Sequence, residues 1–136
     1  MKSVLIGLAF ALLLASTPTQ RANAQASGPP EWMKQTFPAA ALKPAFEEMQ
    51  AVNDPKGALD AKTKELIGLA VAAQIPCQYC VYAHTQNAKH AGATDAQIQE
   101  AIAAASLTRK WSTVLNGSTY DFGEFKRQVD ASFVGH

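Results

Sequence analysis

Apolar residues recur at helical intervals along most of this chain. Leu42, Phe46 and Met49 lie four and three apart, which predicts a helix that stops at the turn-forming run Asn53-Asp54-Pro55-Lys56-Gly57. Leu66, Leu69, Ala70 and Ala73 then recur at i, i+3, i+4 and i+7. They predict the buried stripe of a second helix, capped by Asp60 and ended by Ile75-Pro76. Pro76 suits the opening of a third helix, from about Cys77 to Ala91, and Gly92 suits its left-handed end. Thr94 and Gln97 have the spacing of a capping box for a fourth helix, with Ile98, Ala101, Ile102 and Ala105 on one face. Asn116-Gly117 interrupts the pattern. Phe122, Phe125, Val129 and Phe133 then predict a last helix with an aromatic face.

No segment alternates at period two, and there is no internal repeat. The abundant alanines allow close helix approach, so the expected architecture is an all-α helical bundle in a single domain over residues 42–136. Residues 25–41 precede it as a proline-containing N-terminal arm, with Trp32 and Phe37 as its packing residues. Trp32, Trp111 and the phenylalanines are expected in the core or an interface.

The N-terminal segment changes the picture of where the protein acts. Lys2, the apolar run from Val4 to Ala15 and the small-residue site Ala22-Asn23-Ala24 predict a signal peptide over residues 1–24, cleaved near Ala24. The apolar run is shorter than the roughly 20 residues of a membrane span. The expectation is therefore an exported protein, periplasmic or secreted, with no membrane attachment after cleavage. Without residues 1–24 the 12 lysines and arginines fall by two, Lys2 and Arg21, against 11 acids. A nearly neutral chain lacks the basic surface that nucleic acid binding needs.

The chemistry-bearing stretch is Cys77-Gln78-Tyr79-Cys80-Val81-Tyr82-Ala83-His84, which holds both cysteines of the chain. On a helix, Cys77, Cys80 and His84 fall on one face, well within a sector of roughly 100 degrees. Cys80 and His84 stand at i and i+4, so the imidazole can exchange a proton with that thiol. Both cysteines fall at the helix start, where free backbone N–H groups and the helix dipole favour a thiolate. A purely structural disulfide is also compatible with this spacing, although so small a loop stabilises by only about 2 kcal/mol. Zinc would have three donors in Cys77, Cys80 and His84, but His90 points about 120 degrees away on an ideal helix, so no metal is expected. Glu65 lies at the edge of the second helix's apolar stripe. Either it is an ordinary surface glutamate beside Lys62 and Lys64, or the Pro76 corner brings it to His84 or the thiols as part of a proton relay.

The arrangement E-x(11)-C-x-x-C-x-x-x-H, from Glu65 to His84, resembles the signature of the alkylhydroperoxidase D-like proteins within the carboxymuconolactone decarboxylase family. The similarity runs from about Phe46 to Leu107. It includes KTKELIGLAVA before the motif and HTQNAKHAGATDAQIQEAI after it. The resemblance implies an all-α fold assembling as homotrimers or homohexamers and a thiol-dependent reduction of peroxides. It makes Cys80 the peroxidatic thiol and Cys77 the resolving one, with His84 and Glu65 shuttling protons. No bound cofactor is required. The partners are a small peroxide and a thiol-disulfide reductant protein. Tyr79 stands where the best-known members carry a histidine, and the decarboxylase branch lacks the cysteine pair. Two alternatives remain: acid–base chemistry on a small lactone or keto acid by His84 and Glu65, and a non-catalytic interaction module with a structural disulfide.

Overall fold

A computed structural model describes residues 28–134. The predicted signal segment and its cleavage site lie outside the described residues. Among those residues there are six helices and no strand: α1 (Glu31–Thr36), α2 (Ala39–Val52), α3 (Ala61–Gln74), α4 (Gln78–His90), α5 (Asp95–Gly117) and α6 (Phe122–Ser132). The protein is all-α. None of these helices is long and apolar enough to cross a membrane.

The chain divides after Met49 into two compact units. In the first, α1 is a short helix within the stretch read as an arm, and its buried residue is Met33. Trp32 and Phe37, expected to pack there, are exposed instead. α2 begins at Ala39, earlier than the apolar spacing from Leu42 suggests, because the Pro38 carbonyl accepts from the N–H groups of Ala41 and Leu42. A proline can open a helix from its carbonyl side while lacking a donor of its own.

In the second unit α3 packs against both α4 and α5, and these two meet over a shorter length. Local signals set the helix ends. Asp60 accepts from the Thr63 N–H at 2.7 Å to cap α3. Thr94 and Gln97 form the reciprocal capping box of α5, with N–H to side-chain distances of 3.1 and 3.0 Å. Gly92, at φ 86°, supplies the left-handed residue between α4 and α5. Lys89 and Asp95 bridge the same corner at 2.8 Å.

The core of this unit is Leu69 from α3, Ala88 from α4 and Ile98 from α5, flanked by Leu66, Val81 and Ala93. Leu69 and Ala88 are wholly buried, and burying a leucine side chain stabilises by roughly 1.5–3 kcal/mol. The stripe on α3 is turned from the predicted one: Ala72 is buried and Ala73 is exposed. Apolar residues surround α3 on all sides, so their pattern alone does not choose the face that α4 covers.

α5 runs on to Gly117 and is capped by Ser118, so Asn116-Gly117 ends the helical pattern where expected. α6 carries the expected aromatic face, but Phe122 and Phe133 stand in solvent, as does Trp111 on α5. They form no part of this chain's own core.

Candidate active site

The site begins at the corner between α3 and α4. The Ile75 N–H bonds to Val71 O and the Cys77 N–H to Ala72 O, both at 3.2 Å, so the chain turns through Pro76 without leaving the end of α3. Arg109 of α5 fastens this corner. Its Nε donates to Gln74 Oε1 at 2.8 Å and its Nη2 to the Gln74 carbonyl at 3.2 Å. The Gln74 amide in turn donates to Ala105 O at 3.0 Å. An orphan carbonyl at a helix end thus receives a cationic donor.

Cys77 is the N-cap of α4, and its Sγ accepts from the Cys80 N–H at 3.2 Å. The two cysteines are joined in a disulfide with their Cα atoms 5.3 Å apart. Both are partly buried, whereas the intervening Tyr79 and the following Tyr82 are 78% and 70% exposed. Tyr82 lines a surface cavity with Pro76, Gln78 and Val81, and Tyr79 stands in solvent. The Cys77 sulfur thus satisfies one of the otherwise unpaired backbone N–H groups at the start of α4.

One helical turn beyond Cys80, His84 places Nδ1 2.7 Å from Glu65 Oε2. The glutamate side chain is only 14% exposed and the histidine 35%. A carboxylate only accepts, so Nδ1 carries the hydrogen in this pair and Nε2 remains as the second ring nitrogen for proton exchange. The Pro76 corner thus brings Glu65 to the imidazole across 19 residues of sequence. Together the four side chains offer a dithiol pair and a held proton carrier. His90 is exposed and takes no part. Among the described residues no three histidine, cysteine or acidic side chains gather as metal donors.

Residues 40–119 match the model of the carboxymuconolactone decarboxylase family. The chain belongs to that family. A relative, the "Uncharacterized protein 4 in cox locus" of Paracoccus denitrificans, is 41% identical over 70 residues, covering 52% of this chain and 63% of the relative. The crystal structure of an alkylhydroperoxidase AhpD core from Rhodospirillum rubrum is similar with a TM-score of 0.57 and 34% identity, covering 60% of each chain. This family member therefore spans less than two thirds of the length of either protein it matches.

Two residues of the site escaped sequence reasoning. Arg109 lies 35 residues from Gln74 and carries no local pattern. Gly68 did carry a signal: it is a lone glycine inside a helix otherwise rich in alanine, one turn from Glu65. The His84 ring lies directly against it.

Proposed function

We propose that this protein is a thiol-dependent peroxidase or a related thiol-disulfide oxidoreductase. The observation that carries the reading is the Cys77–Cys80 disulfide at the start of α4, one turn from an imidazole held by a carboxylate. In the reaction, His84 takes the Cys80 proton. The Cys80 thiolate attacks one peroxide oxygen, the O–O bond breaks, and the leaving alkoxide or hydroxide receives a proton through the imidazole. Cys80 becomes a sulfenic acid. The Cys77 thiol then displaces its hydroxyl as water, forming the disulfide. The two thiols and one peroxide yield one disulfide, one alcohol or water, and one further water. An external dithiol protein returns two electrons and two protons to close the cycle.

Glu65 orients the ring and stabilises its charged form. Tyr79, in the position next to Cys80, is directed to solvent and supplies no base. The similar AhpD core is an alkylhydroperoxidase by name, which supports the same reading of the shared fold.

The Glu65–His84 pair would also serve acid–base chemistry on a lactone or keto acid, with the disulfide as a clamp. A Cys80→Ser variant separates the two. Loss of peroxide-dependent turnover, measured on reduced protein with excess dithiol, is the result expected. Absence of peroxide turnover in the wild type, together with lactone turnover indifferent to Cys80→Ser, would replace the peroxidase reading with the acid–base one.

Export after cleavage near Ala24 and assembly into homotrimers or homohexamers belong to the same proposal. Assembly is supported by Ile67 and Val71 on α3, Ile75 at its C-cap, and Trp111 and Val114 on α5, all about half exposed. Helices apolar all round are normally covered. Light scattering on the full chain reads the subunit number, and a strict monomer would contradict it.

A further inference from the structure

We propose that Gly68 is the positioning residue of the site, the bare stretch of α3 on which the His84 imidazole is seated. A Cβ built on Gly68 would stand 2.6 Å from His84 Nδ1 and 2.7 Å from Nε2, and closer still to Cε1. Real Cβ atoms do not approach other heavy atoms below about 3.0 Å. The whole nitrogen edge of the ring therefore occupies the volume that any side chain would fill.

Backbone conformation is not the reason for glycine here. Gly68 lies within α3 and is not among the positive-φ residues. An alanine would favour that helix, and α3 uses alanine at positions 61, 70, 72 and 73. The glycine thus lowers local helix preference at the one position where the ring approaches. Glu65 and Gly68 are one turn apart on the same face. The glutamate holds the ring by Nδ1 while the glycine lets it lie flat enough to be held. Leu69, next in sequence and wholly buried against Ala88 and Ile98, prevents α3 from backing away.

The seat thus fixes the ring one helical turn beyond Cys80. Filling the seat turns the ring out toward solvent and breaks the 2.7 Å pair with Glu65, so the imidazole loses its fixed place one turn from Cys80. The catalytic consequence rests on the peroxidase reading, but the seating of the ring does not.

The test is Gly68→Ala in the full chain, read in three ways. Ring-nitrogen NMR at a pH where the imidazole is neutral should show the Nδ1–H tautomer of His84 in the wild type and its loss in the variant. The thermal midpoint should stay level or rise, because alanine favours the helix. Peroxide turnover of the reduced enzyme should fall at least tenfold, while the same substitution in a His84→Ala background should cause no further loss. If Gly68→Ala melts early, the Gly68→Ala/His84→Ala double variant must recover the midpoint, since the ring that clashes is gone. An unchanged tautomer in Gly68→Ala, a wild type without the Nδ1–H form, or a double variant that fails to recover would each overturn the seat. A wild type inert toward peroxide but with the tautomer change intact would instead sink the peroxidase reading alone.

Discussion

Reduction of the Cys77–Cys80 bond should leave this protein folded, and the size of the effect can be worked out. The bond joins residues three apart. A four-residue loop gives about 2 kcal/mol from the chain-entropy relation. Unfolding entropy of about 2.1 cal/mol/K per residue over roughly a hundred residues amounts to about 0.2 kcal/mol per degree, so the midpoint should fall by about 10 °C at most. Much of the local structure survives the loss of the bond. The Cys77 sulfur still faces the Cys80 N–H, and Leu69, Ala88 and Ile98 keep their packing. The assay is a circular dichroism melt with and without excess phosphine reductant, repeated on the Cys77→Ser/Cys80→Ser variant. Helix content lost at room temperature on reduction, or a midpoint lowered by more than about 20 °C, would refute the reasoning and make the bond a structural clamp.

Leu69→Ala removes the central side chain of the core and should cost about 2–5 kcal/mol in a urea titration; a loss below about 1 kcal/mol would show that this core contributes less than its burial indicates. Glu65→Gln keeps the shape of the side chain but weakens its hold on the imidazole, and should lower peroxide turnover roughly a hundredfold or more without lowering the thermal midpoint appreciably; wild-type turnover would remove Glu65 from the proton path. Asp60 is held below the ordinary aspartate range, chiefly by the Thr63 backbone N–H. Its cap therefore stabilises fully at neutral pH and is lost as pH falls through its depressed folded value. Asp60→Asn should flatten that acid limb of stability, and an acid titration unchanged by the substitution would contradict the cap. Arg109→Ala should loosen the α3–α4 corner, read as faster amide exchange at Ile75 and Cys77 than in the wild type; unchanged exchange there would show that Gln74 is held without it.

Much of the fold was legible because its signals are local. Asp60, Thr94 with Gln97, and Gly92 each act within one turn of themselves, so their types and spacings carry their meaning. The Cys80 and His84 pairing is equally local, being one turn of one helix. The face of α3 was not legible. Leu66, Leu69, Ala70 and Ala73 form one apolar row, but Ile67, Val71 and Ile75 form another on the same helix. The tertiary structure buries Leu69 and Ala72 and leaves Ala73 and the second row outside. Trp111 and the α6 phenylalanines, expected in the core or an interface, lie outside this chain's own core; an aromatic stripe says that something covers it but not which chain supplies the cover.

By itself, then, the amino-acid order determined five of the six helices and most of their ends, and set two thiols and an imidazole within about two turns of chain, because each depends on neighbours within about four residues. Only the folded arrangement decided that Glu65 meets the ring, that Arg109 locks the corner and that Gly68 must be bare. Those relations join residues 16 to 35 positions apart. They exist only where the packing of Leu69, Ala88 and Ile98 sets the distance between helices; a lone glycine among alanines marks a place on α3, but which ring fills it has no signature in composition or period.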